Sequence, residues 1–149
     1  MGIPNAYRYW NTIVEHYSEK ILTEESDRLI ALYGVAQWIK QQHTHDEYVA
    51  GMWKEHLLNQ ILWMTYKNLK KHRPTAYRAL SWSWASMIGK VMFRDILEAE
   101  KFDKIAQVVD VRVHTVEGKE GQISGGYLKL HSKIFTGTWS LCSGMGGKV

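Results

Sequence analysis

A chain of 149 residues holds about one domain's core, and 45% hydrophobic with 23% charged residues is the ordinary globular range. A net charge of +4, from 19 basic and 15 acidic residues, is too mild to argue for a nucleic-acid partner. No run approaches the roughly 18 apolar residues of a membrane span, and a single cysteine, Cys142, excludes an internal disulfide. A reducing, cytoplasmic setting is therefore expected. The first residues lack the charged-then-apolar pattern of a secretory signal, and Ala6 stands where myristoylation wants Ser or Thr. The unusual feature is aromatic: 7 Trp and 8 Tyr against 3 Phe. These two residue types combine an apolar body with a polar handle, and they suit interfaces as well as cores.

In chain order, Tyr7, Trp10, Ile13, Val14, Tyr17 and Ile21 recur at three and four residues and predict a helix, with Asn5 after Pro4 as its cap. Thr23 is expected to cap a second helix, with Leu29, Leu32, Tyr33, Ala36 and Lys40 on one face and Ile39 widening it. The pattern breaks at His43-Thr44-His45-Asp46. A third helix is expected from Glu47 or Met52 to Leu69 on a stripe of Trp53, Leu57, Leu58, Ile61, Leu62 and Thr65. Gly51 weakens its first turn. The basic run from Lys67 to Arg73 complements that helix's C-terminal end.

After Pro74 the period changes from 3.6 towards 2. Strands are expected over Tyr77 to Met87, with Trp82 and Trp84 on one face and Ser81 and Ser83 on the other, and over Lys90 to Phe93. Arg94 to Asp103 reads as a loop or short helix. Ala106 to Val116 reads as a strand on its alternating valines, Glu117 to Gly121 as a hairpin turn, and Gly126 to Phe135 as the returning strand. The expected organisation is one α+β domain over residues 1–135, helical over 5–72 and β-rich over 76–135. About three N-terminal helices would pack on a small, mostly antiparallel, incomplete sheet, with 136–149 a glycine-rich tail of little order. Trp10, Trp53, Trp63, Trp82 and Trp84 are the aromatic core candidates.

Chemistry is sparse. His43 and His45 beside Asp46 and Glu47 are the nearest approach to a metal cluster, but two histidines at spacing two need a further ligand. Ser81 and Ser83 lack a glycine-framed nucleophile elbow. Asp46 or Glu47 with Tyr48 could form an acid–base pair in a pocket. Gly125-Gly126 is no phosphate loop. No catalytic residue, cofactor or metal is expected. Asp27 suits a helix N-terminus, and Arg28 beside it is available to pair with a carboxylate or backbone carbonyl, or to dock another domain.

Four segments stand out together: Trp10 with Ile13-Val14-Glu15, Tyr17-Ser18 and Leu22-Thr23; Ser26-Asp27-Arg28-Leu29 with Ala31-Leu32 and Gly34-Val35-Ala36; Asp46 to Trp53, through Tyr48 and Gly51, running on to Leu57 and Leu62-Trp63; and Tyr77-Arg78-Ala79 with Ser81-Trp82-Ser83-Trp84-Ala85-Ser86 and Gly89. In this order they resemble the C-terminal portion of fungal heterokaryon-incompatibility (HET) domain proteins. A weaker fifth piece is Gly121 to Leu128, including Gly126. Leu80 departs from the proline usual before Ser-Trp-Ser-Trp in these proteins. The HET domain itself would precede this region, and none of its motifs can be matched here.

The resemblance implies a truncated or stand-alone protein of non-self recognition and programmed cell death, acting by protein contact or with little activity of its own. Its partner could be another protein or a separate HET domain meeting an open sheet edge, in which case the chain is an accessory subunit. The alternative is a small enzyme of fungal specialised metabolism, holding a hydrophobic ligand in a Trp/Tyr-lined pocket.

Overall fold

The computed structural model describes residues 4–20, 22, 27–43, 45–65, 74–94 and 106–138. It is α+β, with the helices N-terminal and every sheet antiparallel. Helix α1 (Pro4–Ser18) buries Tyr7, Trp10 and Val14, the stripe expected from the sequence, with Ile13 and Tyr17 packed at its border. It already includes Asn5, so it starts before the expected cap; proline is at home in a first helical turn. Helix α2 (Arg28–His43) buries Leu29, Leu32, Ala36 and Ile39.

The third helix is largely replaced. Strands β1 (Tyr48–Val49) and β2 (Met52–Trp53) form a hairpin, with Tyr48 opposite Trp53 and Val49 opposite Met52. Among the described residues of this stretch, helical geometry is confined to a 3-10 turn over Lys54–His56 and the single turn α3 (Leu57–Gln60). The cause is the pair Ala50-Gly51, at φ 50 and φ 91. A two-residue hairpin loop wants positive φ at both positions, and a right-handed helix admits neither. The apolar spacing was compatible with either structure, and the glycine decides it.

The expected strand over Tyr77 to Met87 is also absent. This stretch is a loop ending in a 3-10 turn over Trp84–Ser86. Ser83 and Trp84 are both fully buried while Ser81 is exposed, so the two-faced alternation fails. The Ser83 hydroxyl accepts from the Ala85 N–H and donates to the Ala50 carbonyl at 2.7 Å. A serine bonding locally to the backbone competes with strand pairing, and here the local bonds prevail.

Strand β3 (Met64–Thr65) pairs with β4 (Val91–Met92), the latter close to where a short strand was expected. The long hairpin of β5 (Ala106–Val116) and β6 (Lys119–Ser132) turns at Glu117-Gly118, and β6 begins seven residues before the returning strand was expected to. A register shift between Val108 and Asp110 moves Val109 out of the inward row, leaving it 54% exposed while Val108, Val111 and Val113 join the core. Among the described residues the strands make three separate two-stranded sheets rather than one. The cap expected at Thr23, the basic run 67–73, most of 94–103 and the tail beyond residue 138 lie outside the described residues.

Candidate functional site

Three of the residues singled out from the sequence, Trp10, Gly51 and Trp84, meet at one oxygen. The Gly51 carbonyl accepts from the indole N–H of Trp10 at 3.0 Å and from that of Trp84 at 2.9 Å. Trp10, Trp53 and Trp84 are 0% exposed. Trp10, Tyr48 and Trp53 meet edge-to-face in a triangle with centroids 5.5–5.7 Å apart, and Tyr33 of α2 stands edge-on to Tyr48 at 6.0 Å. Gly51 is irreplaceable in this arrangement: a Cβ there would lie 2.6 Å from the Trp84 indole nitrogen and 3.0 Å from Leu29.

The other residues singled out from the sequence divide between ties within the fold and exposed positions. Trp63 is half-buried and donates to the Trp82 carbonyl at 2.9 Å. Arg78 cross-ties its loop by donating to the Ala85 and Met87 carbonyls, while Tyr77 beside it is exposed. Arg28 is buried, reaches the Ser18 carbonyl at 3.4 Å and lies in the electrostatic field of Tyr17, so it is engaged inside the fold; Asp27 is exposed. Gly126 stands apart, in β6 opposite Val113, where a Cβ would be 2.3 Å from the Arg112 carbonyl oxygen.

Buried polar ties were not evident in the sequence. Gln60 accepts from the Trp53 N–H at 2.7 Å and donates to Asn11 at 2.8 Å. Ser18 accepts from the Val91 N–H, and Glu15 from the Phe93 N–H. Asp46 is held by hydrogen bonds from its own neighbourhood. It is buried and accepts from the N–H groups of Glu47 and Glu55 and from the Tyr7 hydroxyl, which lies 3.3 Å from Glu55 as well. Burial raises its pKa above the ordinary carboxylate value, against the pull of those donors. Among the described residues no group of three or more His, Cys, Asp or Glu could hold a metal ion. No spacing rule pairs residues as distant as Asn11 and Gln60.

Two features face outwards. A cleft of about 350 Å³ lies between α2, the β1–β2 turn and the β5–β6 hairpin, with Tyr33, Glu47, Tyr48, Val111 and Ile123 among its walls. The Tyr48 hydroxyl oxygen is buried with no hydrogen-bond partner among the described residues, and that burial pushes its pKa up. The described tryptophans contribute nothing to this cleft's walls. The second feature is the distal end of the β5–β6 hairpin. Gly121 of β6 is set against Ile30 and Tyr33 of α2, whereas Tyr127 and Leu130 further along are exposed and lead into Ile134 and Phe135 at 91% and 75% exposure.

No family model, curated protein or solved structure matches this chain. Among the described residues no helix is long and apolar enough to cross a membrane.

Proposed function

We propose that this chain is a contact protein of the heterokaryon-incompatibility class, docking a partner on the free edge of its long hairpin. The observation carrying this reading is the β5–β6 sheet. Strands of 11 and 14 residues pair only with each other among the described residues. A row of unpaired backbone donors and acceptors on an open edge is a template for strand addition. The residues of the resembling segments support the same reading by what they do: Trp10, Gly51, Trp53 and Trp84 are packed together in the core, and Ser83 ties in through the Ala50 carbonyl. The incompatibility setting rests on the resemblance of the four sequence segments.

The test is co-expression in a fungal host with separately encoded HET domains, scored by co-purification and viability. The expected result is a stable complex, weakened by Leu130→Pro, which removes a backbone donor at the exposed end of β6. Normal growth and no co-purification with any HET domain would refute it.

The cleft favours a second reading, a small-molecule site. Its volume falls in the range of roughly 300–1,000 Å³ typical of ligand pockets, and Glu47 supplies a carboxylate in its wall. A solution screen of apolar metabolites, read by protection of Tm, tests it; no shift for any compound, or shifts that survive Ile123→Trp across the cleft, would discard it.

A further inference from the structure

We propose that the strand received by β6 is acidic on one face and apolar on the other; this rests on the contact-protein reading and names the chemistry of its partner. Side chains alternate along a strand, so Tyr127, Lys129 and His131 share one face of β6 while Leu128 and Leu130 share the other. Across the hairpin, Arg112 stands opposite Tyr127, Asp110 opposite Lys129 and Gln107 opposite His131. The chain then runs on through Lys133, Ile134 and Phe135, all exposed.

Glu47 in the neighbouring cleft wall is paired with Lys54, and this face of the hairpin itself carries Arg112, Lys129 and His131, with Lys133 just beyond, against one carboxylate of its own, Asp110. That carboxylate is already engaged, since Asp110 accepts from the Tyr127 hydroxyl at 2.6 Å. The apolar face ends in Leu130, 41% exposed although it pairs with core-packed Val108. A second copy laid antiparallel on the same edge would set Lys129 and Lys133 among their own counterparts, and like charges across a strand pair destabilise it. Edge lysines of this kind discourage self-pairing. A strand with Asp or Glu at alternate positions meets the basic row, and the apolar residues between them cover Leu130 and Ile134.

Fluorescence anisotropy of labelled synthetic peptides with the full chain tests this. One peptide alternates acidic with β-branched residues, a second carries lysine in place of each acid, and a third has the acidic composition in scrambled order. The expected result is that the first binds at least about tenfold more tightly than the others and weakens with added salt. The double variant Lys129→Glu/Lys133→Glu, altering exposed positions only, is expected to transfer the preference to the basic peptide. Equal binding of acidic and scrambled peptides, no binding of any, a preference unmoved by charge reversal, or self-association of the chain without peptide would overturn the proposal. A HET domain that co-purifies while every peptide fails removes the acidic-strand chemistry and leaves the contact reading standing. Acidic peptides that bind while no HET domain does remove the incompatibility setting alone.

Discussion

Replacing Gly51 by alanine should be among the most damaging single-methyl additions in this protein. The new Cβ would sit 2.6 Å from Nε1 and 3.1 Å from Cε2 of Trp84, and 3.0 Å from Leu29. Neither neighbour can swing aside into solvent, since Trp84 is fully buried and Leu29 nearly so. The φ of 91° adds a backbone penalty of about 1–2 kcal/mol for a residue with a side chain. Displacing the indole then either compresses the core or strands a buried N–H, each at about 1–3 kcal/mol. The expected loss is about 2–5 kcal/mol, a large part of the roughly 5–15 kcal/mol that holds an ordinary domain together. The matching control is Gly89→Ala. Gly89 has a comparable φ of 107° but nothing within 4 Å of its added methyl, so it loses only the backbone part. Urea unfolding of both variants, followed by tryptophan fluorescence, isolates the steric component. Equal stabilities within about 0.5 kcal/mol would refute the role assigned to the Trp84 contact.

Gln60→Leu leaves the Trp53 N–H and the Asn11 side chain without their buried partner, and the expected destabilisation is about 2–4 kcal/mol by chemical unfolding. A double-mutant cycle with Asn11→Ala should return a coupling of about 0.5–3 kcal/mol, and strict additivity would show that the pair does not act together. Asp46 and Asp110 should leave opposite marks on stability against pH. Burial raises the pKa of Asp46, so its contribution is complete below the ordinary value of 3.8 and is lost as pH rises through the folded value. The Tyr127 hydroxyl lowers the pKa of Asp110, so its contribution is present above 3.8 and is lost as pH falls through the folded value. Measured from about pH 3 to pH 6, stability relative to the parent should therefore rise with pH for Asp46→Asn and fall for Asp110→Asn. Slopes of the same sign would contradict the two environments.

The parts of the fold visible in the sequence are those where a repeat spacing meets an unobstructed backbone. The α1 stripe of Tyr7, Trp10 and Val14 and the bounds of β5 at Ala106 and Val116 are examples. Where a single residue's conformation or side-chain bond outranks periodicity, the spacing misleads. Met52, Trp53 and Leu57 fit a helical face, yet Ala50-Gly51 turns the chain through positive φ. Ser81-Trp82-Ser83-Trp84 fits a strand, yet the Ser83 hydroxyl bonds to Ala50, a residue 33 positions earlier. Trp63 and Trp82 are only half-buried, but Trp10, Trp53 and Trp84 were legible as core from their aromatic character. Their relation was not, because it passes through a backbone carbonyl that leaves no trace in residue identity. An open edge was expected in kind, and among the described residues β6 pairs with β5 alone; the basic row along it depends on Asp110 facing Lys129 and bonding to Tyr127.

The doubly bonded carbonyl of Gly51 has a kinetic consequence. Its two indole donors lie 41 residues before it and 33 residues after it. Neither bond can form until a long loop has closed, and each closure draws on chain entropy before any contact rewards it. Once one indole has arrived, the turn is held in place for the other, so the second closure meets a target already formed. Two stretches far apart in sequence thus report to the turn between them. Helix α1, the Ala50-Gly51 turn and the Ser-Trp-Ser-Trp loop are expected to gain protection from solvent together, in a late and collective step, rather than as an ordered N-terminal half awaiting the remainder.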